Sequence, residues 1–337
     1  MRCYTIAKTC CVVLFALAAT RSSVAQSEKQ SGDGYVAYTT PAAAPEPLRT
    51  PSYVGVLLGG NGDVDEATHA LCEHSGGGDL VVLRASYADE YNPEMHAACP
   101  HNNVTTLVIT SRDGASPPFV AETIRDAHAI FIAGGDQSNY VRFWTGNPVQ
   151  TEINNALARG VPLGGVSAGL AVQGEFVFSS MIDTITSPEA MADPYGPLVT
   201  LSREFLSIPV LKGVITDSHF SQRERMGRSI VFMSRIVQDG WASSVHGIGI
   251  DETTAVIADA DGKARIAGKG AAYFMTLDHR PEECAFGKPL TVRDVKVVKV
   301  QAGPDAKFDL KSWSASGGQQ FEVNVIGGKL ARSDQPN

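Results

Sequence analysis

Short apolar segments that alternate with helix-forming stretches restrict the fold of this chain more than any other feature. Five such segments recur in its first half: Tyr53–Leu58, Asp79–Arg84, Thr105–Thr110, Ala127–Ala133 and Val161–Val166. Three stretches of helix-forming composition lie between them: Asp65–His74, Phe119–Asp126 and Pro148–Arg159. Continuous apolar strands that alternate with helices are typical of a mostly parallel sheet with helices on both faces. We therefore predict one α/β domain over residues 51–328.

The second half of the chain has a different pattern. A predicted strand at Gly213–Thr216 leads into a predicted helix over Ser221–Gln238. Four β-rich segments follow: Gly247–Ala258, Ala264–Leu277, Val292–Val300 and Gln320–Val325. The first two flank Asp261-Gly262, a dipeptide typical of hairpin turns. We expect an antiparallel hairpin at the edge of the sheet, a final pair of strands, and a disordered tail over residues 329–337.

The N-terminus has the features of a secretory signal. The apolar run Cys10–Ala19 is too short to span a bilayer, follows two basic residues, and precedes the small-x-small sequence Ser23–Ala25. We predict a cleaved signal over residues 1–25 and a secreted or periplasmic protein, with an uncleaved anchor as the alternative. Residues 26–50 are rich in Ser, Gly, Ala and Pro without periodicity, which predicts a flexible leader.

The net charge and the cysteine content limit which partners the chain can bind and which metal sites it can form. The signal removes three of 28 basic residues and none of the 36 acidic ones, so the mature net charge is −11, which disfavours nucleic acid and anionic membranes. Three cysteines remain, and we predict a Cys72–Cys99 disulfide with Cys284 left over. The chain has no C-x-x-C or H-E-x-x-H sequence, so no metal or cofactor is expected.

Gly165–Gly169 reads G-V-S-A-G and follows a predicted strand. In a strand–turn–helix context, this pentapeptide places a serine hydroxyl on an exposed corner that a substrate carbonyl can approach closely. Glycine-rich turns of this kind are common, so the interpretation of Ser167 as a nucleophile needs a base, an acid and oxyanion donors elsewhere in the chain.

The carboxyl ends of the strands are the places to search for these groups, because active sites of open α/β sheets lie there. Of the histidines after Ser167, only His219 directly follows a predicted core strand, so we predict it to be the base. The acid that orients it is left open among six candidates: Glu175, Asp183, Glu189, Asp193, Glu204 and Asp217.

Two further groups lie near predicted strand ends. Gly134-Gly135 follows Ala127–Ala133, and its backbone N–H groups, with that of Ala168, are suited to bind an oxyanion. Three arginines, Arg223, Arg225 and Arg228, follow His219 and lie within one or two turns of the predicted helix. Guanidinium groups bind carboxylates through paired hydrogen bonds, although arginines on a helix are more often a solvated face.

Four motifs in the same order along the chain resemble peptidase family S51, the family of the cyanophycinases. These motifs are Gly134–Gln137, Gly165–Gly169, Asp217–Phe220 with the three arginines, and Gly247–Glu252. The resemblance covers roughly Tyr53–Phe274 and implies a class I glutamine amidotransferase-like α/β fold.

The resemblance also implies roles for individual residues. Ser167 is the nucleophile, His219 the base, and Asp183 the third member, with Glu189 in reserve. Gly135 and Ala168 form the oxyanion hole. The implied substrate-binding residues are Gln137, Asp217, Arg223, Arg225 and Arg228.

The implied substrate is cyanophycin, a polyaspartate with arginine on its side-chain carboxyls, which is cut to β-Asp-Arg dipeptides. Aspartyl dipeptidase activity, as in other members of the family, is the alternative. Ser218 stands where intracellular cyanophycinases have glutamine, and this departure bears on the substrate more than on the chemistry. We expect a peptide or polymer partner, no nucleic acid, and no membrane after signal cleavage; a homodimer is left open.

Two other classes of protein remain as competing hypotheses. An α/β-hydrolase esterase shares G-x-S-x-G, but this chain lacks its H-G-G-G-type loop. A non-catalytic binding protein on the same scaffold is the other hypothesis, and the presence of both Ser167 and His219 argues against it.

Overall fold

The structure is a computed structural model that describes residues 27–62 and 64–333. Within these ranges the chain forms two β-sheets, eight α-helices and one short 3₁₀ helix. None of these helices has both the length and the apolar character of a membrane-crossing segment. The predicted signal over residues 1–25 and the end of the predicted tail, residues 334–337, lie outside the described residues.

Helices and strands alternate in the N-terminal half, whereas consecutive strands dominate the described C-terminal part. The strands are β1 (Glu28–Gly32), β2 (Tyr35–Thr40), β3 (Val54–Leu58), β4 (Leu80–Arg84), β5 (Val104–Ile109), β6 (Ala129–Ile132), β7 (Leu163–Val166), β8 (Phe176–Phe178), β9 (Leu201–Arg203), β10 (Val214–Asp217), β11 (Val245–Ile250), β12 (Thr254–Asp259), β13 (Lys263–Gly268), β14 (Ala271–Leu277), β15 (Val292–Gln301), β16 (Lys307–Asp309), β17 (Ser314–Ala315), β18 (Gln319–Ile326) and β19 (Lys329–Arg332). The helices are α1 (Asp65–His74), α2 (Asn92–Ala98), α3 (Pro118–Arg125), α4 (Gln137–Trp144), α5 (Pro148–Ala158), α6 (Ala168–Ala171), α7 (Ser187–Ala192) and α8 (Met226–Gln238).

The larger sheet has eleven strands in the order β1-β2-β5-β4-β6-β7-β3-β12-β13-β16-β17. Its central strands, from β5 to β3 in this order, are parallel, as the apolar segments predict. Leu58 at the end of β3 lies opposite Val166 at the end of β7. This register brings the turn after β3 to the residue that follows β7, which is Ser167.

Helices cover both faces of this parallel region. Side chains of a strand point alternately to the two faces, and on β4 Val81 and Leu83 pack in one core cluster while Leu80 and Val82 pack in another. The first cluster includes buried residues of α3 and α5, and the second includes buried residues of α1 and α2. The prediction of helices on both faces is confirmed.

The smaller sheet has eight strands in the order β19-β18-β15-β14-β11-β10-β8-β9, so the prediction of a single sheet is wrong. The predicted antiparallel edge is present in the larger sheet, where β12 pairs antiparallel with both β3 and β13. The segment Gly247–Ala258 divides at a turn, with β11 in the smaller sheet and β12 in the larger one. Buried Asp251 holds this turn, because its carboxylate accepts hydrogen bonds from the backbone N–H groups of Ser221 and Ala271 at 2.9 and 3.1 Å. The predicted β12–β13 hairpin and β15–β18 pair both form.

Both predicted flexible ends contain ordered strands. Residues 28–40 were expected in a flexible leader but form β1 and β2, and β2 pairs with β5. Tyr35 and Ala37 on β2 are buried, and a periodicity over so few residues escapes a composition-based prediction. Lys329–Arg332, expected in the disordered tail, pairs with β18 as β19.

A disulfide joins Cys72 on α1 to Cys99 at the end of α2, as predicted. It links two helices on the same face of the larger sheet. Cys284 is a free buried thiol, and burial raises its pKa to about 12. A thiol with so high a pKa is unreactive at neutral pH, because the thiolate is the reactive form.

Candidate active site

Ser167 lies in a strained turn between β7 and the short helix α6. Its backbone has φ 54° and ψ −109°, in a region that residues other than glycine rarely adopt. The Ser167 N–H donates to the carbonyl of Leu58, at the end of β3, at 3.0 Å. Position 169 in the same turn requires glycine, because a Cβ there would lie 1.9 Å from the Ile132 carbonyl oxygen. The predicted strand–turn–helix context of the G-x-S-x-G sequence is present, with a helix of one turn.

His219 follows β10 and contacts the same turn after β3. Its N–H donates to the carbonyl of Gly59 at 2.9 Å, one residue beyond the Leu58 carbonyl that Ser167 uses. Gly60 borders the imidazole so closely that a Cβ at this position would lie 2.4 Å from the ring. As a result, Ser167 Oγ and His219 Nε2 are 2.8 Å apart, at hydrogen-bonding distance.

Glu252 contacts the other nitrogen of the imidazole. Its Oε1 lies 2.7 Å from His219 Nδ1, and its Oε2 accepts a hydrogen bond from Asn61 Nδ2 at 2.7 Å. A carboxylate accepts, so Nδ1 carries the proton and Nε2 of the neutral ring is left to accept from Ser167 Oγ. The Ser167, His219 and Glu252 side chains thus form one hydrogen-bonded series, in which the hydroxyl proton has an acceptor and the acceptor has a fixed tautomer.

The local environment keeps this series in the required protonation state at neutral pH. Burial is the main cause that lowers the pKa of His219; the hydrogen bond that Nδ1 donates to Glu252 opposes it, and the charges of Arg223 and Arg225 add to it. Hydrogen bonds from Asn61 and then from His219 lower the pKa of Glu252. The imidazole is therefore neutral and the carboxylate ionised, which is the starting state of a general base.

Ser167 opens into a cavity of about 410 Å³ whose lining carries both signs of charge. Six residues predicted for the site line it with Ser167: Gly135, Ala168, Gln137, Asp183, Arg223 and Arg225. Two more charged residues line it as well: Asp136 and Arg142. The cavity therefore suits a ligand that carries both carboxylate and cationic groups.

Comparison with known proteins identifies the family. The model of peptidase family S51 matches residues 85–266, more than half of the 337-residue chain. This chain belongs to peptidase family S51. A cyanophycinase from Synechococcus elongatus is 30% identical over 214 residues, which cover 60% of this S51 peptidase and 60% of that relative. A cyanophycinase from Trichormus variabilis is 30% identical over 203 residues, 58% of this chain and 61% of that relative.

This S51 peptidase thus spans about 60% of the length of the cyanophycinases that it matches. A solved structure, a peptidase from an acI-B1 Actinobacterium, aligns with a TM-score of 0.52 at 15% identity and covers 78% of this chain and 98% of that chain. At this identity the likeness concerns the α/β fold alone.

The acid predicted from the sequence is wrong in this S51 peptidase. Asp183 lies on the cavity wall, where its carboxylate accepts from the Thr184 N–H at 2.7 Å. Glu189 completes the capping box at the start of α7 with Thr186. The carboxylate that the structure places against His219 is that of Glu252.

Glu252 was not predicted to be the acid, because all the candidates precede His219 in the chain and because the sequence pattern assigned β11 to an edge hairpin. In the structure β11 lies parallel to β10, with Asp217 opposite Gly249. The residues that follow these two strands therefore meet at one end of the smaller sheet. The strand-end rule that selected His219 selects Glu252 as well, once β11 is recognised as a parallel strand.

Asp217 and Arg228 were predicted to contact substrate but form a buried ion pair outside the cavity. Asp217 accepts from Arg228 Nε at 2.8 Å and Nη2 at 2.6 Å, and the two residues are 5% and 2% exposed. Burial alone would raise the pKa of Asp217, but the charges of Arg228 and Arg225 outweigh it and lower that pKa. His219 has φ 45°, which interrupts the extended chain that follows β10.

Arg225 connects this buried pair to the cavity. Its Nη1 donates to Asp217 Oδ1 at 3.1 Å and to the Ser218 carbonyl at 2.9 Å, and the same side chain lines the cavity beside Arg223. Asp217 and Arg228 therefore fix the position of Arg225.

Proposed function

We propose that this S51 peptidase is a serine-type enzyme that cleaves its substrate through an acyl-enzyme intermediate. Ser167 is the nucleophile, His219 the general base, and Glu252 the group that orients the imidazole. The observation that carries the proposal is the series of 2.8 and 2.7 Å contacts that joins these three side chains, the first of which lines a charged cavity.

The chemistry follows from the direction of the hydrogen bonds. As Ser167 Oγ bonds to the scissile carbonyl carbon, its proton passes to His219 Nε2, and Glu252 stabilises the imidazolium that results. The C–N bond then breaks, and Nε2 returns this proton to the leaving amine. A water molecule next donates a proton to Nε2 while its oxygen bonds to the acyl carbon, and Ser167 Oγ leaves and regains the proton.

The negative charge that develops on the carbonyl oxygen needs donors that are in place beforehand. We assign this role to the backbone N–H groups of Gly135 and Ala168. Both residues line the cavity together with Ser167, and Ala168 begins α6, where the first N–H groups of a helix have no intrahelical acceptor.

We further propose cyanophycin or a closely related β-aspartyl-arginine peptide as the substrate. The two relatives compared above are cyanophycinases. Each β-Asp-Arg unit carries a carboxylate and a guanidinium group, and the cavity offers Arg223 and Arg225 for the first and Asp183 for the second. We also propose a class I glutamine amidotransferase-like architecture, which the resemblance to family S51 implies.

We place this reaction outside the cytoplasm. The Cys72–Cys99 disulfide supports secretion, because such bonds persist in oxidising compartments, and so does the predicted signal over residues 1–25. A secreted enzyme also suits a polymer that is too large to enter a cell.

The test is release of β-Asp-Arg from cyanophycin by the purified mature protein. We expect Ser167→Ala to abolish release and Ser116→Ala, a control at an exposed serine, to leave it unchanged. Turnover of p-nitrophenyl esters without peptide cleavage would instead identify an esterase. Absence of both activities, with Ser167 unlabelled by a fluorophosphonate probe, would identify a binding protein.

A further inference from the structure

Tyr140 is a buried residue of α4 that contacts the backbone of the proposed oxyanion loop. It is 1% exposed, and its ring stacks on that of Trp144 with centroids 4.5 Å apart. Its hydroxyl lies 2.9 Å from the Ala133 carbonyl oxygen and 3.2 Å from that of Gly134. Both neighbours are carbonyl groups, so the hydroxyl is the donor, and its single proton is shared between the two oxygens in a bifurcated hydrogen bond.

The hydrogen bond to Gly134 fixes the direction of the next N–H. The Gly134 carbonyl and the Gly135 N–H belong to one peptide unit, and the described residues contain no cis peptide bond. In a planar trans peptide these two groups point in opposite directions. Because the carbonyl is turned toward Tyr140 in the protein interior, the Gly135 N–H is turned away from it. Gly135 lines the cavity into which Ser167 opens.

The residues around Tyr140 hold its hydroxyl and the loop at Gly134-Gly135 in place. Burial raises the pKa of Tyr140, so the hydroxyl keeps its proton at neutral pH. Asp136 anchors the other side of the loop by accepting from the Ser138 N–H at 2.9 Å at the start of α4. The hydroxyl also fits closely, because a Cβ on Gly135 would lie 2.9 Å from it.

We propose that Tyr140 is a positioning residue for the reaction, which aims the Gly135 N–H at the developing oxyanion through its hydrogen bond to the Gly134 carbonyl. This inference rests on the proposed function of Ser167. The Tyr140 hydroxyl bonds to the backbone of the oxyanion loop and does not line the cavity, so it acts on the transition state and not on substrate binding or on the pH profile.

The test is Tyr140→Phe, which keeps the ring and its stacking on Trp144 and removes one oxygen atom. Complete loss of an oxyanion donor costs about 10²- to 10³-fold in kcat, and a donor that is present but poorly oriented is expected to cost about 10-fold. We expect kcat to fall by about this factor with KM within about twofold, and the inhibition constant of phenylboronic acid, which forms a tetrahedral serine adduct, to rise by about the same factor. The control is Tyr195→Phe, whose hydroxyl donates to Asp239 at a different site.

Each outcome decides the inference. A variant with a lower melting temperature but unchanged kcat and boronate affinity would give Tyr140 a structural role only and overturn the proposal. If Tyr140→Phe does not fold, Gly135→Ala is the second variant, because its methyl group pushes against the same hydroxyl; unchanged kcat there also overturns it. Full activity of Ser167→Ala would be a failure of the proposed function itself, and is distinguished in this way from a failure at Tyr140 alone.

Discussion

Replacement of Glu252 by glutamine tests the catalytic series most directly. In the structure one carboxylate oxygen accepts from His219 Nδ1 and the other accepts from Asn61 Nδ2, each at 2.7 Å. A glutamine has only one acceptor oxygen, so it cannot serve both donors. If its oxygen faces His219, its NH₂ group meets the Asn61 NH₂; if its oxygen faces Asn61, its NH₂ group meets Nδ1 and favours the wrong tautomer of the imidazole.

The expected decrease in kcat follows from the loss of the Glu252 negative charge. The neutral amide no longer stabilises the imidazolium, and replacement of a triad carboxylate by an amide lowers kcat by about 10⁴-fold in a buried site. The Glu252 side chain is 19% exposed, so solvent moderates the loss, and we expect a decrease in kcat on the order of 10³-fold with KM within about threefold. The assay is β-Asp-Arg release under saturating substrate, with fluorophosphonate labelling of Ser167 as a substrate-independent measure.

A second variant sharpens this prediction. Asn61→Asp added to Glu252→Gln gives the glutamine NH₂ group an acceptor, so its oxygen is free to face His219, and part of the lost kcat should return. Asp183→Asn and Glu189→Gln are the matched controls for loss of a nearby carboxylate and should not show the large loss in kcat. Wild-type kcat in Glu252→Gln, or a 10³-fold loss in Asp183→Asn, would refute the assignment of the acid.

Three other predictions follow from the charges of the site. His219 acts as a free base and its pKa is lowered, so kcat/KM should stay constant at neutral pH and fall only at a pH below the usual pKa of histidine. Arg223→Gln removes a charge that lowers this pKa, so the acid limb of the pH–rate profile should move to higher pH. Asp217→Asn leaves the Arg228 guanidinium buried without its counter-ion, and urea unfolding should show a loss of about 3–5 kcal/mol, whereas an unchanged midpoint would contradict the buried pair. Asp183→Asn should lower kcat/KM for β-aspartyl-arginine peptides but not for peptides with neutral citrulline in place of arginine, and an equal loss on both would exclude a cation-binding role.

The sequence predicted the features of this fold that depend on local pattern. Buried parallel strands such as β4 are apolar on both faces, and this leaves a continuous apolar run that is visible without any tertiary information. Ser167 and His219 were found because each directly follows such a strand.

The errors concern features that depend on contacts between distant residues. The division of Gly247–Ala258 between two sheets depends on buried Asp251, whose partners Ser221 and Ala271 are 30 and 20 residues away. Without that division, β11 was not recognised as a parallel strand, and Glu252 was not considered. The prediction that Arg228 contacts substrate was wrong for a related reason, because an arginine that binds substrate and one that is buried against Asp217 have the same appearance in a helical sequence.

The turn after β3 makes the proposed active site dependent on the completed fold. Three successive groups of this turn, the Leu58 and Gly59 carbonyls and the Asn61 side chain, hold Ser167, His219 and Glu252 in that order. Asn61 and Glu252 are 191 residues apart in the chain, and the pairing of β12 with β3 in the larger sheet brings them together. His219 follows β10 of the smaller sheet, so a chain that lacks this pairing or the contact between the two sheets carries its nucleophile without an oriented base, and hydrolytic activity is expected only from the completed fold.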